Sequence, residues 1–479
     1  MKSILYGCLL MLSLLTLNSC EKDLLDLEPI DQIPAEKAIL TMSDLLTAVN
    51  GVHATWSHRR AVYVSSFISD EIRLGTGTEY RNVGNALFNW QSVSDSQDWR
   101  DGETGGIWTN MYAVIDRANR VLELMVPVPT NDAGQAALKA QYRGEMLALR
   151  GMAHYELLRN FSATAEYSPS ALGVVVSSTY IKAPGAARPA RNTQEEVLKR
   201  INDDLLEARG LIPTSFVDIS RVTRNAVIGG QVRVALYTKR WQDVIDRATE
   251  IIPLQPLATI ANYPTLWSTR TLPINQSTEV IWKFNVQPSN LGSAIGSLYQ
   301  DATGALQAGP AVKLLNSYDA ATDVRFPSFF RTSPRNLIAK YGVVPPAGEN
   351  FQFDVKVMRT SEMVLARAEA RAELEQFTLS NNDLSLLRTN RIAGYVHVAI
   401  ANKQGLIDAI LVERYKELPY EGNRYYDLKR RGLPIVRDVA DAGGITTSVT
   451  LNPSDLNYIL PIPQQEILAN PNIVQNRGY

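Results

Sequence analysis

Apolar residues recur at helical spacing through most of this chain, and the recurrence breaks off in two places. From Ala35 to Trp56, the residues Ala38, Met42, Leu45, Leu46 and Val49 share one face. That spacing predicts a first helix, with Thr41 or Ser43 available to cap a turn inside it. From Ile107 to Val126 the face is Met111, Ile115, Ala118, Leu122 and Met125, and Pro127 and Pro129 end it. Ala133 to Phe161 follows as a long partner with Tyr142, Met146, Leu149, Ala153 and Leu157 on one side, and His154 is expected to pack within this hairpin. Thr193 with Glu196 three residues on forms a capping box, opening a helix through Val197, Ile201, Leu205 and Ala208 to a stop at Pro213. Asn225 to Lys239 and Trp241 to Ile252 make the next pair. Gly229 and Gly230 would each cost about 1 kcal/mol inside an ordinary helix, so they predict a close helix crossing. Helices return at Val355, with Met363, Ala366, Ala370 and Leu374 on one face. The pattern is that of a mainly α scaffold of tetratricopeptide-like helical hairpins with loop-rich insertions and a few short strands.

The two interruptions differ in character. Residues 65–106 are broken by Gly75, Gly77, Gly84, Gly102, Gly105 and Gly106, and they carry Arg81, Trp90 and Trp99. Residues 253–347 are punctuated by Pro, Ser, Asn and Gly, and within them Glu279 to Asn285 alternates like a strand. A third irregularity is electrostatic. Between Ala409 and Ile435, Glu413, Glu417, Glu421 and Asp427 alternate with Arg414, Lys416, Arg424, Lys429, Arg430 and Arg431, with Pro419 and Gly422 turning the chain between two helices. On the first of these, Ile407, Leu411 and Leu418 share a face. Dense alternation with no nucleophile or metal ligand beside it predicts an ion-pair clamp across the turn, in which Glu413, Arg414, Glu421 and Arg424 satisfy one another locally.

Charge is balanced, 48 basic against 49 acidic residues in 479, so neither nucleic acid nor an acidic tail is indicated. Ile4 to Leu17 is an apolar run behind Lys2 and ahead of Asn18-Ser19-Cys20, too short to span a bilayer, and it reads as a signal segment covering residues 1–19. Leu17-Asn18-Ser19-Cys20 resembles a lipobox, in which Cys20 is acylated and becomes the new N-terminus; an ordinary secretory signal with an incidental cysteine is the alternative. The two cysteines are Cys8 and Cys20, which excludes a disulfide framework or a thiolate metal site in the body. The four histidines, His53, His58, His154 and His397, lack metalloprotease spacing, so neither a metal nor a cofactor is expected. The segment Leu24 to Gln32 is polar and Pro-interrupted, and it reads as a tether.

Several blocks together resemble the SusD/RagB family. ER-x-x-EL-x-x-EG-x-R-x-x-DL-x-R begins at Glu413. Trp108-x-x-Met-Tyr112-x-x-Ile115-x-x-Ala118-Asn119 and Glu145-x-x-x-x-Arg150-x-x-x-His154-Tyr155 lie on the first hairpin. Tyr318-Asp319-x-x-x-Asp323-x-Arg325 and Arg359-x-x-Glu362 through Glu369-Ala370 follow. The terminal Leu460-Pro-Ile-Pro463-x-x-Glu466, Asn470-Pro471, Gln475-Asn476 and Gly478-Tyr479 are nearly the family's closing motif in full. The resemblance runs from Cys20 to Tyr479 and is thinnest between Pro253 and Ala347. It implies a signal peptide (1–19), an N-terminal region with the tetratricopeptide-like hairpins (20–252) and a C-terminal region with the loop-rich insertion and closing helices (253–479).

The family resemblance implies a cell-surface lipoprotein of the outer membrane that binds oligosaccharide, or peptide in RagB-like members, and delivers it to a SusC-like TonB-dependent transporter without catalysing anything. The aromatic loops offer the ligand contacts, because aromatic faces stack on sugar rings while Asn, Asp and Arg bind hydroxyls. Trp99, Tyr299, Trp90 and Arg81 are the candidates, and Trp108 and Trp282 are assigned to the core because they sit in regular patterns. A surface glycan hydrolase would need two carboxylates flanking a cleft, and none can be nominated. The aromatic loops count against a helical-repeat scaffold that binds only protein.

Overall fold

The computed structural model describes residues 37–74, 85–91, 103–180, 188–286, 294–301, 303–333, 335–342, 351–442 and 449–479. The first helix, α1 (Met42–Thr55), starts later than the periodicity predicts. Thr41 is its N-cap: the Thr41 hydroxyl accepts from the Asp44 amide while the Asp44 carboxylate accepts from the Thr41 amide. This reciprocal box satisfies two amides that the first turn leaves without partners and so fixes the start. α2 (His58–Ile68) follows, then α3 (Glu103–Leu124), and α4 (Ala133–Phe161), whose bounds are those expected.

From α3 onward the helices form a row of antiparallel neighbours. α4 lies between α3 and α5 (Gln194–Leu211), and α5 contacts α6 (Arg224–Tyr237), which pairs with α7 (Trp241–Ile251). After the long irregular stretch, the row resumes: α7 packs on α8 (Thr360–Glu373), which packs on α9 (Phe377–Thr389) and α10 (Lys403–Glu417). The capping box at Thr193 and Glu196 is present. Gly230 sits at the helix crossing expected of it, where a Cβ would lie 3.3 Å from the Met152 sulfur, whereas Gly229 faces a strand instead of a helix, and a Cβ there would lie 2.1 Å from the sulfur of Met358 in Val355–Arg359. His154 is fully buried, with Nδ1 2.9 Å from the Arg150 carbonyl. Leu374, expected on the packed face of α8, is largely exposed.

Helix does not resume at Val355. Val355–Arg359 is a strand, β2, antiparallel to β1 (Val280–Phe284), with Val280 opposite Arg359 and Phe284 opposite Val355. Every residue of β2 is buried, including Lys356 and Arg359, and α8 begins directly after it.

Arg359 belongs to a network that is far wider than a clamp between α10 and α11 (Arg424–Arg430). Glu417 accepts from Arg325, Arg359 and Arg391 at 2.9–3.2 Å, and all four side chains are sealed from solvent. Glu413 pairs with Arg325 and Arg388, Glu421 with Lys340 and Arg359, and Arg424 with Asp70. Of the residues expected to satisfy one another locally, only Arg414 reaches across the turn, to Asp427 at 2.8 Å. The physical reason is burial: carboxylates removed from water need several charge-assisted partners each, more than one turn supplies. Burial pushes the Glu417 carboxyl up, and Arg391, Arg359 and Arg325 outweigh it, holding the group well below the usual carboxylate range. Arginine–carboxylate pairs also tie the helix row together: Arg150 to Asp204 between α4 and α5, Arg233 to Glu362 between α6 and α8, and Arg430 to Glu369 between α11 and α8.

Candidate functional site

Two of the aromatic residues expected at a ligand surface lie in the core instead. Tyr299 is 1% exposed; its hydroxyl lies 3.1 Å from Ser66 Oγ and its ring 5.2 Å from Tyr420, and burial pushes the phenol well above its ordinary pKa. Trp90 is 6% exposed, donates from Nε1 to the Ile68 carbonyl at 2.9 Å and is covered by the Arg437 guanidinium at 4.2 Å. Both rings come from irregular chain, yet large aromatics under long loops are what fill the space beneath them. Trp99, Arg81 and Cys20 lie outside the described residues. Trp108 and Trp282 are core residues, as their patterns predict.

A cleft of about 580 Å³ opens where the end of α1, the start of α2, the end of β1 and the segment from Asp218 to Arg221 meet. One wall is aromatic. Trp56 and Phe284 form it, and both pack edge-on against the buried Trp282 behind them, with centroids 5.3 and 5.0 Å away, since period-2 alternation along β1 carries Trp282 and Phe284 to the same side. Phe284 is half-buried, and Asn285 and Asn50 are exposed at the lining. The opposite wall is polar. Arg221 donates through Nε and Nη2 to Glu145 at 2.8 and 2.7 Å, with its plane between the rings of Tyr142 and Phe216, each 5.3 Å away. The same carboxylate meets His53 Nε2 at 2.9 Å. Glu145 therefore fixes two side chains of the lining from behind. Asp218 accepts from both the amide and the hydroxyl of Ser220, at 2.9 and 2.6 Å.

His58 also lines the cleft but contributes no charge. Burial, reinforced by Arg233 and Arg159, pulls its pKa down to about 3, and its Nε2 donates to the Glu421 carbonyl at 3.2 Å. Asp218 is the single carboxylate among the described lining residues. No group of three or more His, Cys, Asp or Glu side chains is placed to hold a metal among the described residues, and no helix there is long and apolar enough to cross a membrane. What the cleft offers is flat apolar surface beside amide, guanidinium and carboxylate hydrogen-bonding groups, held on rigid elements. Its lining comes from four stretches far apart in the chain, residues 46–59, 218–221 and 284–286 and Val355. The sequence signal available for it was the strand alternation ending in Phe284-Asn285.

Two family models match the chain: the SusD family over residues 346–479, and a family described as starch-binding and associating with the outer membrane over residues 23–236. The chain belongs to the SusD/RagB family. Its relatives include SusD-like protein P38 of Formosa agariphila, 23% identical over 100% of this chain and 99% of the relative. SusD-like protein P2 of the same organism is 22% identical over 97% and 98%. Among solved structures, a protein from Bacteroides vulgatus described as a candidate sugar-binding protein superposes with a TM-score of 0.76 at 24% identity, over 92% of this chain and 99% of that one. A SusD superfamily protein from Bacteroides thetaiotaomicron gives 0.76 at 21%, over 91% and 100%. The mainly α SusD-like fold is thereby shared along nearly the whole chain. The family blocks quoted above fall largely on the buried ion-pair network, including Glu145, Arg150, Asp323, Arg325, Arg359, Glu362, Glu413 and Glu417. In this SusD-like protein those blocks describe the scaffold.

Proposed function

We propose that this protein is a surface binding lipoprotein of the outer membrane that captures an oligosaccharide and passes it to a SusC-like TonB-dependent transporter. The observation that carries the reading is the cleft, which pairs an aromatic wall of Trp56 and Phe284, backed by the buried Trp282, with Asn50, Asp218, Arg221 and Asn285. Sugar rings present both an apolar face and a rim of hydroxyls, and this lining answers both. The family description names starch, so linear glucans are the first ligands to try. Acylation of Cys20 supplies the anchor in this reading, and Trp99 and Arg81 remain ligand contacts in it. Binding proceeds without turnover, since hydrolysis of a glycosidic bond needs a pair of carboxylates across the cleft and Asp218 stands alone among the described lining residues.

The test is a glycan and peptide array probed with the mature chain, followed by calorimetry and product analysis on the best ligand. Retention of one glycan class without shorter products supports the reading. Retention of peptides instead moves the protein to the RagB-like role, and shortened glycan that tracks with the protein overturns binding without turnover.

A further inference from the structure

A second groove, of about 570 Å³, runs between α1 and α3 on a different face of α1 from the cleft. Its floor is apolar, built from Ile39, Ala48, Val52 and Val121, and Arg117 and Arg120 stand along it. The groove's own carboxylate, Asp44, is used by the α1 cap, where it accepts from the amides of Leu40 and Thr41. Arg120 shares part of its charge with Asp116 at 3.0 Å, in a pair whose side chains are both nearly half exposed. Arg117 donates to Thr55. The groove is therefore apolar at its base with basic groups at hand.

The described chain begins at this groove, since Ala38 and Ile39 line it. The segment that precedes them has the matching chemistry. From Glu21 to Glu36 it carries six carboxylates and one lysine, and Leu25, Asp26, Leu27 and Glu28 alternate apolar with acidic. In extended chain that alternation puts the leucines on one side and the carboxylates on the other. Pro29 and Pro34 disfavour a helix. Length is no obstacle: the dozen residues between Leu25 and Lys37 span up to about 40 Å, and the 14 residues of α1 extend about 21 Å. A covalently tethered occupant also has an effective concentration in the millimolar range, above that of a separate partner.

We propose that Leu24 to Ile30 of this same chain dock in the groove between α1 and α3, with the leucines on its floor and Asp26 and Glu28 toward Arg117 and Arg120. The segment is then a strap, not a loose tether. It sets where the chain leaves the body toward Cys20 and shortens the free leash to a few residues. Docking stands independently of acylation and of the ligand.

The mature chain with Cys20→Ser contains no thiol, so a cysteine placed in the groove is its sole reactive site. Ala48→Cys in that background is alkylated with a maleimide dye, with Thr47→Cys as the alternative position if the first variant does not fold. With the native leader the rate is expected to be at least ten-fold lower than with Leu24, Leu25 and Leu27 all changed to Ser. Arg117→Glu with Arg120→Glu is expected to raise it several-fold. Equal rates for native and serine leaders, in proteins with the same melting temperature, overturn the proposal. Protection that grows with protein concentration whatever the leader would assign the groove to a second copy and overturn it as well.

Discussion

Arg359 and Glu421 form a two-pronged pair, Nε to Oε2 at 2.8 Å and Nη2 to Oε1 at 2.7 Å, with both side chains buried and the two positions 62 residues apart in the chain. Nη1 of the same arginine reaches Glu279 at 2.6 Å and Glu417 at 2.9 Å. One guanidinium thus joins the β sheet, the end of α10 and the turn before α11.

Removing it leaves three buried carboxylates short of a partner. Arg359→Ala is expected to lower the unfolding free energy by about 3–5 kcal/mol, the range for breaking one side of a buried charge pair. Arg120→Ala, which breaks the exposed pair with Asp116, should cost about 0.5 kcal/mol or less. Urea unfolding of both variants checks the contrast.

Glu71 gives the fold a pH dependence of definite sign. Burial raises its carboxyl to about 8 from an ordinary value of 4.5, against the lowering effect of the Ser66 hydroxyl and the Tyr420 amide. Asp70 adds repulsion and Arg424 opposes it. Between pH 4.5 and 8 the folded state holds a proton at Glu71 that the unfolded chain releases, so its contribution to stability is full below pH 4.5 and is lost as pH rises through 8. Glu71→Gln keeps a neutral side chain of the same shape. Relative to this variant, the native protein should lose stability from pH 5 to 8 by up to about 1.4 kcal/mol per pH unit. Denaturant unfolding at pH 5, 6.5 and 8 reads the difference.

The two buried aromatics make a negative control for binding. Tyr299→Phe removes a hydroxyl that meets Ser66, so about 1 kcal/mol of stability should go, with affinity unchanged. An affinity change at constant stability, measured by calorimetry, would return Tyr299 to the ligand site.

Cys20→Ala should move the protein out of the membrane fraction, as acylation requires the thiol. Fractionation followed by immunoblotting checks this; a variant that stays with the membrane after signal cleavage would refute the anchor.

Much of the scaffold was legible because its signals are local. α4 begins where Asp132 caps it, and the Thr193 box announces α5, each within four residues. β2 was misread because Lys356 and Arg359 look solvent-facing in sequence, and only distant partners, the rings of Trp267 and Tyr341 for one and Glu279, Glu417 and Glu421 for the other, explain their burial. The charged stretch from Glu413 to Arg431 was read correctly as structure but too narrowly, since Arg325, Arg388 and Arg391 lie outside it. The cleft was not legible as a site. Asn50, Asp218 and Phe284 belong to three separate stretches, and no periodicity links them.

The central claim is that ligand binding lives in the cleft and that the charged family blocks hold the fold. It is tested most directly by titrating the best array ligand into two variants while following their unfolding. Phe284→Ala should weaken binding about 30-fold, or about 2 kcal/mol, in a protein that remains folded. Arg424→Ala, which leaves the buried Asp70 with Lys313 as its remaining ion-pair partner, should lower stability and leave the affinity of the folded protein at the native value. Native affinity in Phe284→Ala, together with lost binding in a folded Arg424→Ala protein, would contradict the account.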